Sequence, residues 1–284
     1  MKTGILTYQI KHGRAKGSIG SSVIRGDWLV DAWEDAELWH NGGLYDAMIF
    51  QKVYWNFFME DFKGVKILDM CDPDWMHNQI NLKEISLLVD AITTSSEPLK
   101  EYIEKIVDCP VVFVPDRVNT RMLPKPRTHK KEAKTVVWFG YSGNADEVLR
   151  QVLPSLKANG YKLLVVSEAE FNPVNNFGVE IENVIWNNET AHMNIRSADF
   201  AINPRSIKRN FKYKSTNKTL ISWALGLPVV ETADDLAKYK DPVERQKESD
   251  LRLKEIEEKW DIKHSVNQLK ELIWDLKKNQ EKKQ

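Results

Sequence analysis

Short apolar runs separated by amphipathic stretches divide the chain into two successive blocks. In the first, runs at 4–7, 45–50, 66–70, 91–94 and 111–114 read as strands, and Val23, Leu29 and Val30, then Ile85, Leu88 and Val89, recur between them at helical spacing. Ser21 and Ser22 stand where they can cap the first of those helices. A second set of strand-like runs follows at 135–140, 162–166, 184–186, 200–203 and 228–230. Strands that alternate with helices form a parallel sheet covered on both faces, so each block is expected to be an α/β domain. Between them, 115–134 holds three prolines, seven Lys or Arg and two acids with little periodicity, the texture of a linker. After the second block, Leu251, Ile256 and Trp260, then Val266, Leu269, Ile273 and Leu276, mark apolar stripes on charged helices, and the polar tail at 277–284 is expected to fray.

The organisation predicted is thus a Rossmann-like domain at 1–116, a basic linker at 117–134, a second Rossmann-like domain at 135–242 and C-terminal helices at 243–284. In open α/β sheets ligands sit outside the carboxyl ends of the strands, so two such domains facing across a cleft would place the function there.

Composition narrows the function class. The 284 residues carry 41 basic and 41 acidic side chains, which excludes a basic nucleic-acid coat and an acidic disordered tail. No run is long enough for a signal peptide or a bilayer span, so a cytoplasmic location is expected. Cys71 and Cys109 form no CxxC pair and have no histidine cluster around them, so neither a disulfide framework nor a zinc site is expected, and both read as inert buried thiols.

Local charge is less even. Six basic residues and no acid occupy 205–218, and Ser215, Thr216 and Asn217 stand where a helix running through Trp223 would begin, with Gly226 ending it. A helix N-terminus with free N–H groups beside lysines suits phosphate oxygens; the alternative is an ordinary cap beside a solvated basic loop. Arg205, Lys214, Ser215, Asn217 and Lys218 are the candidates for a diphosphate.

The run Asn217-Lys218-Thr219-Leu220-Ile221-Ser222-Trp223-Ala224-Leu225-Gly226-Leu227-Pro228-Val229-Val230 resembles the nucleotide-sugar segment of GT-B glycosyltransferases, especially the family-4-like group, in which a lysine opens a helix that ends in A-x-G-x-P-V-V. Val137-Trp138-Phe139-Gly140-Tyr141-Ser142-Gly143 is similar to the opening strand and glycine loop of that family's C-terminal domain, and Ala198-Asp199-Phe200-Ala201-Ile202-Asn203-Pro204 to the strand before its donor loop. The resemblance implies two Rossmann-like domains, a nucleoside-diphosphate sugar held mainly by the second as co-substrate with no further cofactor, and an acceptor held mainly by the first. It implies donor approach at Gly140 and Ser142, and it aligns Gly17, Ser18 and Gly20 with the glycine-containing first loop that faces the donor, with Arg25 as a phosphate partner. One departure stands out: the two glutamates that the family places eight residues apart around this helix start are Tyr213 and Ile221 here. The loop at 17–22 is not a G-x-G-x-x-G, which disfavours a dinucleotide.

Asp69, Asp72 and Asp74 come at the carboxyl end of the 66–70 strand. One of them, Asp72 first and Asp74 second, could take the proton of an acceptor hydroxyl; a metal site on Asp72-x-Asp74 and a solvated cap cluster are the competing roles, and no metal is assigned. Six acids and no Lys or Arg lie in 27–46, a negative face. The linker has the opposite sign, and its Arg127 and Lys130 could contact DNA phosphates while Tyr54 or Trp55 stacks on a base. The function expected is sugar transfer from a nucleoside-diphosphate sugar to a hydroxyl. Transfer to hydroxymethylated bases of phage DNA is one alternative, and a non-catalytic sugar- or nucleotide-binding protein on the same scaffold is the other.

Overall fold

The computed structural model describes residues 1–13, 20–54, 57–76, 80–205 and 209–282. The chain divides into two compact units: Met1–Asn119 with Lys208–Ser215 and Asp261–Gln284, and Thr120–Ile207 with Thr216–Trp260.

The first unit is built on six parallel strands: β1 (Thr3–Thr7), β2 (Ala36–Leu38), β3 (Ala47–Gln51), β4 (Val65–Met70), β5 (Ala91–Thr94) and β6 (Val111–Phe113), in the order β2-β1-β3-β4-β5-β6. Every residue of β1, β3 and β5 is buried, as continuous apolar runs covered on both faces must be. Leu6, Phe50, Leu68, Met70 and Ile92 from these strands pack with Leu82, Leu99 and Ile103 from the covering helices. β2 has no counterpart among the expected strands. It is three residues long, half-buried at the sheet edge, and lies inside the acid-rich 27–46 stretch, where Ala36-Glu37-Leu38 gives too short a pattern to register.

The second unit holds β7 (Thr135–Phe139), β8 (Lys162–Ser167), β9 (Ile181–Ile185), β10 (Phe200–Ile202) and β11 (Val229–Val230), all parallel, in the order β11-β10-β7-β8-β9. In both sheets the chain starts in an interior strand, builds to one side and then crosses to the other. The carboxyl ends of β1 and β7 are therefore topological switch points, where open α/β sheets leave a crevice.

Two sequence-derived boundaries move. Residues 120–134 lie in the second unit, and the C-terminal helices divide: Pro242–Glu255 belongs with the second unit, whereas Ile262–Glu281 belongs with the first. That last helix buries Val266, Leu269, Ile273 and Leu276, and it runs on through the region expected to fray. Gln280 donates to Asp90 (3.1 Å) and Lys277 pairs with Asp46 (3.6 Å), which ties the final turns to the first unit.

Candidate functional site

The register of the first sheet sets Thr7 beside Gln51, Gln51 beside Asp69, and Asp69 beside Thr93. A row of four buried polar side chains therefore crosses the carboxyl ends of β1, β3, β4 and β5, and each needs partners. Gln51 accepts from the Ser22 hydroxyl (3.1 Å) and the Tyr8 N–H (3.3 Å). Asp69 accepts from the Thr93 hydroxyl (2.6 Å) and takes the Arg25 guanidinium in a two-pronged pair at 2.5 and 2.6 Å.

Arg25, expected to meet a phosphate, is only 4 % exposed. It sits in a widened helical turn, Val23–Asp27, and its remaining donors go to Asp116 (2.8 Å) and the Val114 carbonyl (3.0 Å). Burial works to lower the guanidinium's pKa, but the two carboxylates overcome this and raise it, so the charge is fixed. With both prongs filled, Arg25 is a structural ion-pair centre in place of a phosphate ligand. Asp116 uses its second oxygen to accept from the Ser215 hydroxyl (2.6 Å), which makes Ser215 part of the same network.

Asp72 and Asp74 lie just beyond β4, and Lys52 bridges them at 2.8 and 3.2 Å. Lys52 follows β3 with φ 54°, a left-handed backbone that a lysine adopts only at a cost, and its side chain is 17 % exposed. Burial works to lower its ammonium pKa, but the neighbouring acids raise it, so Lys52 stays charged. Asp74 has both oxygens engaged, one by Lys52 and the other by the Tyr54 hydroxyl. Its pKa is raised, first by burial, against the opposing pull of Lys52 and Tyr54 and with the help of the Asp72 charge. Asp72 is more open, at 33 % side-chain exposure against 15 %, and its Oδ1 has no partner among the described residues. Tyr54, considered above for stacking on a base, has its hydroxyl committed to Asp74, and Trp55 lies outside the described residues.

The segment at 209–215 belongs to the first unit. Tyr213 is 3 % exposed, its ring set edge-on to both Trp75 and Tyr102, which stack on each other at 4.7 Å. Ser96 donates to the Tyr213 carbonyl (2.7 Å). Lys214 lies over the Phe211 ring at 5.0 Å and has no carboxylate partner among the described residues.

In the second unit, β7 ends at Gly140 with φ 146°, a conformation that side chains rarely adopt. The space a side chain would fill belongs to Lys218: a Cβ on Gly140 would fall 2.7 Å from Lys218 Cε and closer still to Nζ. The Lys218 ammonium rests 4.7 Å above the ring of Trp138, two residues earlier in β7. Lys218 and Asn217 open the helix Asn217–Ala224, which Asn203 ties to β10 by a bond from its amide to Thr219 (3.0 Å). Gly140 and Lys218, far apart in sequence, thus meet at the β7 switch point. Ser142 donates to Glu168 through its N–H and its hydroxyl (2.9 and 2.7 Å), and Ser167 donates to the other Glu168 oxygen (3.0 Å). Partial burial works to raise the Glu168 pKa, but these donors bring it below the usual value. Ile221, at the second missing-glutamate position, is buried on the helix.

Arg127, expected to touch an acceptor, donates to Asp199 (2.7 Å) and to the carbonyls of Arg196 and Ser197. Next to it, His129 donates from Nε2 to the Gly226 carbonyl (2.8 Å) and accepts at Nδ1 from Arg245 (3.3 Å), whose other donors go to the carbonyls of Tyr239, Lys240 and Lys131. Gly226 (φ 77°) allows this close approach, because a Cβ there would fall 2.7 Å from the Arg127 backbone. Arg127 is therefore a clamp within the second unit, while Lys130 is exposed. Gly20 opens a short helical turn with open space around it; Gly17 and Ser18 lie outside the described residues. Arg205 is described and half-buried after β10.

Sequence reasoning missed Lys52, Asp116 and Glu168. Lys52 and Glu168 each come directly after a strand, the position where ligand-facing residues collect in such sheets, and that signal was available. Asp116 stood inside an apparent linker and gave none. Among the described residues no group of three or more His, Cys, Asp or Glu is placed to hold a metal ion, and no helix is long and apolar enough to cross a membrane.

No family model matches the sequence, and no curated protein matches it either. The fold is similar to that of several solved glycosyltransferases. A glycosyltransferase from Rickettsia africae shares 10 % identity at a TM-score of 0.64, covering 97 % of this chain and 98 % of its own. An alpha-glucosyltransferase solved with UDP and a 13-mer DNA containing a central A:G mismatch gives 10 % identity and a TM-score of 0.64 over 96 % and 99 % of the two chains. AviGT4, a glycosyltransferase involved in avilamycin A biosynthesis, gives 13 % identity and 0.62 over 97 % and 98 %. The chain has the GT-B fold.

Proposed function

We propose that this protein is a glycosyltransferase that moves a sugar from a nucleoside-diphosphate sugar to a hydroxyl acceptor. The observation that carries the reading is the meeting of Gly140 and Lys218 at the β7 switch point of a GT-B fold. A side chain at 140 would occupy the place of the Lys218 ammonium, so the backbone there is bare beside a cation and a helix N-terminus. Bare backbone, positive charge and the positive end of a helix together suit a diphosphate, and they would stabilise the charge that develops as it leaves. Arg205, Lys214 and Asn217 are further donor ligands in this reading, with Gly17, Ser18 and Gly20 as backbone for close approach.

In the first unit Asp72 Oδ1 takes the proton of the acceptor hydroxyl. The acceptor oxygen bonds to the anomeric carbon, the anomeric bond to the diphosphate breaks, and the diphosphate leaves with the electron pair. Asp74, with both oxygens engaged, holds the arrangement. We place the protein in the cytoplasm, where nucleotide sugars are made.

Isothermal titration with UDP-, GDP-, ADP- and dTDP-sugars tests the donor assignment: one class should bind, and Lys218→Ala should weaken it by about tenfold or more, as for loss of a charged hydrogen bond. Absence of binding across all four, or an unaffected Lys218→Ala protein, rejects it. Slow release of nucleoside diphosphate without acceptor separates an enzyme from a binding protein on this scaffold.

A second reading, transfer to hydroxymethylated bases of DNA, is favoured by the likeness to the alpha-glucosyltransferase solved with DNA and by the exposed Lys130. It predicts salt-sensitive retention on hydroxymethylated duplex DNA, weakened by Lys130→Glu. Absence of sugar transfer to such DNA removes it.

A further inference from the structure

Lys214 is a donor candidate whose chain neighbours are both anchored by side chains of the first unit. On one side the Tyr213 carbonyl accepts from Ser96 (2.7 Å) and the Tyr213 ring is buried against Trp75 and Tyr102. On the other the Ser215 hydroxyl donates to Asp116 (2.6 Å). The Lys214 side chain lies over the Phe211 ring, and no carboxylate neutralises it among the described residues.

The Asp116 anchor is itself built in. Arg25 holds it at 2.8 Å while holding Asp69 at 2.5 Å, and all three are buried. Arg25 is thus shared between two carboxylates, with Arg117 also within its electrostatic reach. Buried ion groups of this kind add little net stability over apolar packing, so fixing a geometry is the better account of one. The geometry fixed here is that of a segment carrying Lys212 and Lys214 and no acid.

We propose that Asp116 is a positioning residue: through Ser215, and together with the Ser96 bond to Tyr213, it holds the 209–215 segment so that the Lys214 ammonium is presented to an anionic ligand. This rests on the reading of that ligand as the diphosphate of a nucleotide sugar. It reassigns Ser215 from phosphate ligand to anchor, and Arg25 from phosphate ligand to the support of that anchor.

The test uses the full chain with Ser215→Ala, Ser215→Thr and Asp116→Asn. Ser215→Ala leaves Arg25 paired with both carboxylates, so folding is not at issue, whereas Asp116→Asn also disturbs the buried pair. Amide hydrogen exchange across 209–215 should speed up about tenfold in Ser215→Ala, as expected for loss of one hydrogen bond to a charged group, and Ser215→Thr should restore it. Trypsin cleavage after Lys212 and Lys214 should rise in parallel. Titration of UDP and UDP-glucose should show affinity lowered in Ser215→Ala and recovered in Ser215→Thr. Unchanged exchange and cleavage in Ser215→Ala overturns the proposal. If the wild-type chain binds neither of these nor the GDP-, ADP- and dTDP-sugars, the donor reading fails at that point while exchange and cleavage still decide whether Asp116 positions the segment. Altered exchange with unaltered affinity in a chain that does bind overturns the claim that Lys214 meets the ligand.

Discussion

Gly140→Ala is the sharpest test of the β7 switch point, because two separable costs arise there. The first is backbone: φ of 146° lies where a residue with a Cβ is strained, at about 1–3 kcal/mol. The second is displacement: the new methyl would fall 2.7 Å from Lys218 Cε, well inside contact distance, and the neighbour that must yield is the flexible end of a side chain. Moving that ammonium off the Trp138 face forfeits a cation–π contact of about 0.5–2 kcal/mol. Gly140→Ala should therefore destabilise the protein by about 1.5–5 kcal/mol and, by removing the cation from the bare backbone, weaken nucleotide-sugar binding.

A double-mutant cycle separates the two costs. In a Lys218→Ala background the displaced atoms are gone, so Gly140→Ala should cost the backbone strain alone. The difference between backgrounds, read from urea unfolding followed by tryptophan fluorescence, should be about 0.5–2 kcal/mol. Coupling below about 0.5 kcal/mol, within the scatter of independent sites, would refute the placement of Lys218 against Gly140. Donor affinity measured on the same four proteins should fall with Gly140→Ala in both backgrounds, since the methyl also covers the bare backbone, and fall further where Lys218 is displaced.

Asp72→Asn should lower sugar transfer by about 10²–10⁴-fold, the range for loss of a general base, whereas Asp74→Asn should cost less, since that side chain holds Lys52 and Tyr54 and has no open oxygen; equal losses in both would contradict the division between them. Asp69→Asn keeps the shape of the buried pair and removes its charge, so the melting midpoint should fall by the equivalent of about 3–5 kcal/mol; a near-neutral result would mean that Arg25 finds another partner. His129 is held neutral, with burial lowering its pKa and Arg245 aimed at Nδ1, so its contribution to stability is full above its ordinary value near 6.5 and is lost as pH falls through the depressed folded value. The melting midpoint should accordingly drop between pH 7 and pH 5 more steeply in the wild type than in His129→Gln.

The α/β class and most strands were legible because a parallel strand buried on both faces leaves an uninterrupted apolar run, as at 47–51 and 162–167. β2 was not, since three half-buried residues with a central glutamate carry no periodicity. The linker was misjudged for a physical reason: Arg127, His129 and Lys131 look like a solvated basic stretch, yet their bonds to Asp199, Gly226 and Arg245 fasten that stretch to the second unit. Composition reports charge but not its partner. The same limit governed Arg25, where an arginine after a glycine loop read as a phosphate ligand and only the fold supplied Asp69 and Asp116. Gly140 and Lys218 could be singled out from their local patterns, whereas their meeting across 78 residues of sequence comes from the β10-β7 pairing and the helix that follows β10. Tyr213 and Ile221 were visible as departures, and the structure shows both buried, Tyr213 against Trp75 and Tyr102.

Charge at the strand ends of each unit bears on which ligand each can take. Beyond β4, Lys52 faces Asp72 and Asp74, and deeper in, Arg25 faces Asp69 and Asp116, so each cation is outnumbered two to one. A diphosphate brought to that place would meet carboxylates already paired with both cations and no free cation of either pair. A neutral hydroxyl would meet an open carboxylate oxygen that can accept its proton. At the β7 end the order is reversed: the residue closest to the bare backbone is a lysine at the start of a helix, and the carboxylate present, Glu168, has one oxygen held by two Ser142 donors while the Ser167 hydroxyl lies between its other oxygen (3.0 Å) and the Gly140 carbonyl (2.7 Å). An anion is favoured there and a proton-accepting role is not. Each end therefore suits a different ligand, an anion at β7 and a neutral hydroxyl at β4, and exchanging these preferences would require reversing the charge of at least Lys218 and Asp72 together.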